Sequence, residues 1–325
     1  MYSDSSHPSL WTAEPEHLSH KEGNVFMKQP MVTVVVMTYQ HAEYISECLD
    51  GIMNQRTSFP IHALVVDDAS TDGTAEIVAE YARRYPEIVE AVLLKENMYH
   101  LASKTRTIVL PRIKGKYTAF CEGDDYWTHP DKLQTQVEFM ENHPGYSACF
   151  QLYNIKNEVC MKFPPKARMR RSRQVSKREV TIEHMCHTNT IMFRSAIYES
   201  PKFWKFYPDV YPITDILLFA VLADAGSIWG INEYWSVYRL HNRGIYTSEK
   251  LKAGDSTYLI ERKFIDLYYG RKHPMGRWMT LYERLERWTL LRRSGKYMRA
   301  IWQLFQAALY NPIGFMRLYI SRYLL

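Results

Sequence analysis

Short apolar, β-branched runs alternate with stretches of helical periodicity through the first 150 residues, and this alternation restricts the fold more than any other feature. Val32-Thr-Val-Val-Val-Met37 is the first run, followed by a helical pattern over Ala42–Met53. Ile61–Val66 and Ile88–Leu94 flank a second helix, Thr74–Arg84. Ser103–Ile113 reads as helical, Tyr117–Cys121 as a strand, and Pro130–Asn142 as a helix with proline in its first turn. Runs without polar alternation belong to strands covered on both faces. The order βαβαβαβ therefore predicts a doubly wound, mostly parallel α/β sheet. Tyr146–Tyr153, His187–Arg194, Ile228–Ile231 and Trp235–Tyr238 read as further strands, Asp215–Ala225 as a helix, and the chain beyond Ser248 as helical.

Ligands of open α/β sheets bind outside the carboxyl ends of the strands. Three predicted strands end in polar residues: Thr38-Tyr39, Asp67-Asp68 and Glu122-Gly123-Asp124-Asp125. Asp67-Asp68 also suits capping of the helix behind Thr71-Asp72-Gly73-Thr74. The first strand leads into neither GxGxxG nor GxxxxGK[ST], which argues against dinucleotide and P-loop chemistry. A bound diphosphate then needs another counter-charge. Paired carboxylates holding Mg²⁺ or Mn²⁺ supply one, since hard oxygen ligands suit these ions and the ions bridge phosphate oxygens.

Six segments together resemble family 2 glycosyltransferases, inverting, nucleotide-sugar-dependent enzymes of the GT-A fold. They are Val34-Val-Val-Met-Thr-Tyr-Gln40, Val66-Asp-Asp-Ala-Ser-Thr-Asp-Gly73, Glu122-Gly-Asp-Asp-Tyr-Trp127, His187-Thr-Asn-Thr-Ile-Met-Phe-Arg194, Ile213-Thr-Asp-Ile-Leu-Leu218 and Val237-Tyr-Arg-Leu-His-Asn-Arg-Gly244. The resemblance implies a GT-A fold, Rossmann-like with a mostly parallel central sheet, over residues 31–247, and a nucleoside-diphosphate sugar as donor. It assigns Thr38 and Tyr39 to the border of the nucleobase and Asp68 to a hydrogen bond with the base. Asp124 and Asp125 match the family's DxD-type site, with Asp125 as the direct metal ligand and Glu122 where many members have Asp. Arg106 matches a basic position facing the nucleotide, or is an ordinary exposed helix charge. Asp215 matches the catalytic base, a role compatible with capping its own helix. His241 matches a metal or diphosphate ligand, with Arg239 as the alternative phosphate contact. The absence of a Q-x-x-R-W segment after Asp215 favours a single sugar addition over processive synthesis. Bacterial surface polysaccharide or a lipid-linked glycan is the acceptor class implied. A catalytically silent sugar-nucleotide or glycan-binding protein is the rival from another class, disfavoured by retention of Asp124, Asp125 and Asp215.

Five cysteines, odd in number and without CxxC spacing, argue against a disulfide framework and for a reducing, cytoplasmic setting. Residues 1–30 have no continuous apolar segment and read as a flexible leader. Charge is uneven. From Leu251 onward 14 Lys and Arg face 5 Asp and Glu, a surplus of nine positive charges, against 27 and 30 in the rest of the chain. Residues 248–325 thus form a basic amphipathic helical extension with Trp278, Leu281, Leu285, Trp288, Leu291, Ile301, Leu304 and Ala308 at helical spacing. Two readings stand open: a face on an anionic membrane, which would hold the enzyme peripherally on the inner face of the plasma membrane, or a cap packed on the catalytic domain. Nucleic acid is not an expected partner, because no recognition module is present. The stretch Lys162–Arg178, with eight basic residues, reads as a solvated loop or as a lid contacting acceptor phosphate.

Overall fold

The computed structural model describes residues 29–99, 101, 103–159, 169–210, 215–244, 256–270, 273–293 and 295–316. The expected leader up to residue 28 and residues 162–168 of the basic stretch lie outside them. In chain order the elements are β1 (Val32–Thr38), α1 (Ile45–Met53), β2 (Ile61–Asp67), α2 (Thr74–Arg84), β3 (Val89–Leu93), β4 (Tyr117–Phe120), β5 (Tyr126–Trp127), α3 (Lys132–Asn142) and β6 (Tyr146–Asn157). They continue with β7 (Arg173–Val175), α4 (Lys177–Thr181), β8 (Ile191–Arg194), α5 (Pro201–Val210), α6 (Asp215–Ala225), β9 (Ser227–Leu240), α7 (Ser256–Tyr269), α8 (Pro274–Arg293) and α9 (Tyr297–Tyr310).

The sheet runs β3-β2-β1-β4-β8-β6-β9-β5, with β7 on β9. Its first four strands are parallel, as their unbroken apolar runs predict, and β2 is buried along its whole length. The second half is mixed. β8 lies antiparallel to both β4 and β6, β6 and β9 are parallel, and β5 and β7 run antiparallel to β9. The two short strands expected within residues 228–238 are one strand, β9, irregular opposite Gln151–Tyr153. Residues 105–112 are not a regular α-helix but a π turn, Thr105–Val109, running into a 3-10 turn, Leu110–Arg112. Pro111 has no N–H to continue an α-helical ladder.

Each face of the sheet carries a core. Val34, Val36 and Val65 pack with Leu49, Leu133 and Met140 under α1–α3. On the other face Phe150 and Phe193 meet Leu217 and Phe219 of α6, Phe264 of α7 and Met279 of α8. α6 is apolar all round and correspondingly buried. α7 and α8 are therefore part of this second core, and α9 packs on α8 through Leu281, Leu285, Leu304 and Ala307.

Candidate active site

Strand order reverses at β1, between β2 and β4, so the carboxyl ends of these strands open onto one crevice. The loops after β1 and β2 are stitched together. Gln40, held at a left-handed φ of 58°, donates its N–H to Ser70 Oγ, and the N–H groups of His41 and Ala42 donate to Thr74 Oγ1 and Asp72 Oδ2. Asp67 accepts from the N–H and hydroxyl of Ser70 and so shapes the turn. Asp72 accepts from Thr74 at the start of α2, whose N-cap is Gly73; the capping expected of Asp67-Asp68 does not occur, because Asp67 bonds Ser70 and Asp68 bonds Met98 and Lys104.

After β4 the chain passes through Gly123, whose N–H donates to Met37 O. A Cβ there would stand 2.5 Å from Thr38 Oγ1 and 2.9 Å from His41 Nδ1. Glycine thus lets the β4 loop lie against the end of β1. The next residue, Asp124, turns Oδ2 toward two imidazoles: His241 Nε2 at 3.0 Å and His41 Nε2 at 3.7 Å. Burial alone would raise the Asp124 carboxyl. The hydrogen bond with His241 and the nearby imidazoles outweigh it and leave the group below its ordinary value. Burial moves His41 the other way, below its ordinary value, which favours the neutral ring with a lone pair to offer. One ligand atom from each of His41, Asp124 and His241 falls within 4.8 Å of the others, a spacing that could hold a cation.

Asp125 lies deeper, at 1% exposure. Its Oδ1 accepts from the Arg239 N–H at 2.9 Å and its Oδ2 from Asn189 Nδ2 at 2.8 Å. Burial, with the Asp124 and Glu122 charges adding, raises its carboxyl well above the ordinary range. Glu122, Asp125 and His187 form a second tight group, and burial followed by the Asp124 charge pushes Glu122 up to about 7. Both carboxylates of the pair are thus in the crevice: Asp125 is buried and held by two hydrogen bonds, and Asp124 is the more open of the two.

Arg239 explains how the loop is held. Its Nε donates to Asp124 O, its two terminal nitrogens pair with Glu158 and Glu47, and its plane lies over the rings of Tyr44 and Tyr126. A guanidinium so engaged, and 4% exposed, ties β9 to the β4 loop more than it offers charge to a phosphate. Asp68 is buried beside the crevice, accepting from Met98 N–H and from Lys104 Nζ at 2.8 Å. Tyr39 stands 45% exposed at the rim. Arg106, by contrast, is exposed and lies over the Trp204 ring of α5. The cation that reaches the crevice from this segment is Lys104. Asp215 begins α6 and accepts from the N–H of Ile216.

Sequence reasoning gave no role to His41, His187, Asn189 or Lys104. All but Lys104 lie within or next to segments quoted above. Lone His, Asn and Lys residues have no spacing that marks them, and their partners are 36 to 83 residues away. Thr38 Oγ1, His41 Nδ1 and Glu122 Oε2 are buried without hydrogen-bond partners among the described residues, an unusual concentration of unmet polar atoms around Asp124.

Residues 33–200 match the family model described as Glycosyl transferase family 2. The uncharacterized protein Rv1520 of Mycobacterium tuberculosis is 36% identical over 238 residues, covering 72% of this chain and 63% of that protein. The match therefore takes in less than two thirds of that relative. The putative teichuronic acid biosynthesis glycosyltransferase TuaG of Bacillus subtilis is 28% identical over 245 residues, 74% of this chain and 91% of that one. Among solved structures, the mannosyltransferase PcManGT from Pyrobaculum calidifontis, in complex with GDP-Man and Mn²⁺, aligns with a TM-score of 0.51 at 18% identity, over 91% of this chain and 84% of that chain. That likeness is one of fold.

Proposed function

This chain belongs to glycosyl transferase family 2, and from that premise we propose that it transfers one sugar from a nucleoside-diphosphate sugar to an acceptor hydroxyl with inversion at the anomeric carbon. The observation that carries the reading is the convergence of Asp124 with His41 and His241 at the carboxyl ends of β1, β4 and β9. Two imidazoles and a carboxylate suit Mn²⁺ better than Mg²⁺, which prefers an all-oxygen shell. The unmet polar atoms of Thr38, His41 and Glu122 around this point fit a site built for a ligand. A divalent cation there would neutralise the donor diphosphate and ease its departure. PcManGT, of the same fold, was solved with GDP-Man and Mn²⁺.

In the proposed reaction the acceptor oxygen attacks the anomeric carbon from the face opposite the diphosphate. The new C–O bond forms as the bond to the phosphate oxygen breaks, and the nucleoside diphosphate leaves with the bonding electrons. Asp215, the first residue of α6, takes the acceptor proton. Tyr39 at the rim borders the nucleobase, and Asp68, steadied by Lys104, faces it. Arg239 and Asn189 act as positioning residues, since they hold the loop that carries Asp124. The likeness to TuaG, a putative teichuronic acid biosynthesis glycosyltransferase, supports a bacterial polysaccharide as acceptor. Incubation with a panel of nucleotide sugars, with and without Mn²⁺, tests the reading. Cation-dependent release of nucleoside diphosphate from at least one donor supports it, and no release from any donor with any acceptor extract refutes it.

A further inference from the structure

α9 is apolar on two sides. Ala300, Leu304 and Ala307 face α8 and are wholly or partly buried. The opposite face presents Met298, Ile301, Trp302, Phe305 and Leu309, all more than half exposed, with Trp302 and Phe305 stacked at 5.9 Å. Nine of the fourteen large hydrophobic side chains exposed among the described residues fall between Tyr297 and Met316. That concentration separates a patch from the scattered exposed side chains of any soluble surface. Spacings of three and four residues put the five on one stripe of the helix. The charge around it has one sign. From Arg287 to the last residue the sequence holds seven Lys and Arg and no Asp or Glu. Lys296 and Arg299 are exposed at the start of α9.

We propose that this face of α9 seats on an anionic lipid bilayer, lying in the plane of the interface. The side chains reach about one side-chain depth, and no helix of the described residues is long and apolar enough to cross. An anionic surface is the occupant that matches both halves of the feature. The apolar stripe enters the acyl boundary, while the basic residues meet the headgroups, each adding about 1 kcal/mol near such a surface. A second copy of the chain would bring like charges together over the same stripe, which disfavours it as the occupant. The two readings of the C-terminal region therefore divide between helices. Trp278, Leu281, Leu285 and Trp288 of α8 are the cap, mostly buried, and α9 carries the outward face.

The test is co-sedimentation of the full chain with phosphatidylcholine vesicles and with vesicles carrying about 30% phosphatidylglycerol, at about 0.1 M and about 0.5 M salt. The wild type should pellet with the anionic vesicles at low salt and be released at high salt. Ile301→Gln with Phe305→Gln and Leu309→Gln should lower the partition at least tenfold. Lys296→Gln with Arg299→Gln should weaken binding to the anionic vesicles and leave the small binding to neutral ones unchanged. These side chains are exposed and glutamine is a good helix former, so the variants should keep the wild-type melting temperature. Equal pelleting with both vesicle types, no pelleting at low salt, or a dimer by light scattering that the Gln variant abolishes would each overturn the proposal. No nucleotide sugar or cation enters the assay, so its failure leaves the catalytic reading untouched.

Discussion

Nε2 of His241 lies 3.0 Å from Oδ2 of Asp124, although 117 residues separate the two in the chain. β9 ends one residue before His241 and the Asp124 loop leaves β4, so this contact closes the crevice from its far side. The same carboxylate oxygen has His41 at 3.7 Å, from the loop after β1. Three parts of the sheet thus meet at one atom.

Asp124→Asn and His241→Ala should each weaken Mn²⁺-dependent binding of the nucleotide by about tenfold or more, the scale seen when metal sites lose ordered partners. Calorimetric titration of nucleoside diphosphate with and without Mn²⁺ measures this. Unchanged cation dependence in both variants would remove the cation from this trio.

Asp125 should behave differently. Asp125→Ala leaves the buried Arg239 N–H without its acceptor and takes from the Asn189 amide one of its two, the other being Val237 O, at a cost of about 1–3 kcal/mol for the unmet donor. Thermal unfolding should begin several degrees lower, on a scale of about 2–4 °C per kcal/mol for a chain this size. If the melting temperature holds and only cation affinity falls, Asp125 is a ligand and not the anchor of the loop.

Asp215→Asn should keep donor affinity and lower kcat by about 10²-fold or more, the usual loss with a general base. Turnover within a few-fold of wild type would assign proton removal to another group.

Gly123→Ala places a methyl group 2.5 Å from Thr38 Oγ1 and 2.7 Å from Thr38 Cβ. The β4 loop must shift away from β1, at a cost of about 1–3 kcal/mol typical of overpacking. Stability and donor binding should fall together. Loss of one without the other would show that the loop position and the site are not linked.

Acid sensitivity should centre on Glu90 of β3. Its hydrogen bonds with His62 and Lys114 hold the carboxyl down at about 2 against its partial burial. A carboxyl depressed in the fold contributes stability that is complete above its unfolded value of about 4.5 and is lost as pH falls toward about 2. Glu90→Gln should therefore flatten the decline in unfolding free energy across this window and leave its slope near neutrality unchanged. An identical acid slope in the variant would place the linkage elsewhere.

Much of the architecture was legible in the chain. Val32–Met37 and Ile61–Val66 announce buried parallel strands because a strand covered on both faces has no need of polar alternation. The carboxylates Asp67, Asp68, Asp124 and Asp125 follow such runs, so their gathering at one sheet edge is a consequence of parallel order alone. The antiparallel entry of β8, the joining of two short segments into β9 and the π turn at Thr105–Val109 were not legible. The first two depend on which strands pair, which local periodicity does not encode, and the third shares the apolar spacing of an ordinary helix.

What the sequence determined by itself was the inventory: four parallel strands, polar strand ends, a carboxylate pair, a base candidate before α6, and a basic, apolar C-terminal region. What the tertiary structure decided was direction. Asp124 and Asp125 are chemically alike neighbours, yet Asn189 and Arg239 turn one inward while His41 and His241 meet the other. Lys104, not Arg106, reaches Asp68, while Arg106 lies over the Trp204 ring. Leu285 and Ile301 are both apolar helix residues, yet packing of α9 on α8 buries the first and exposes the second. In each case the residue type is local, but the side chain's partner comes from a distant stretch of chain, and only folding brings that partner near.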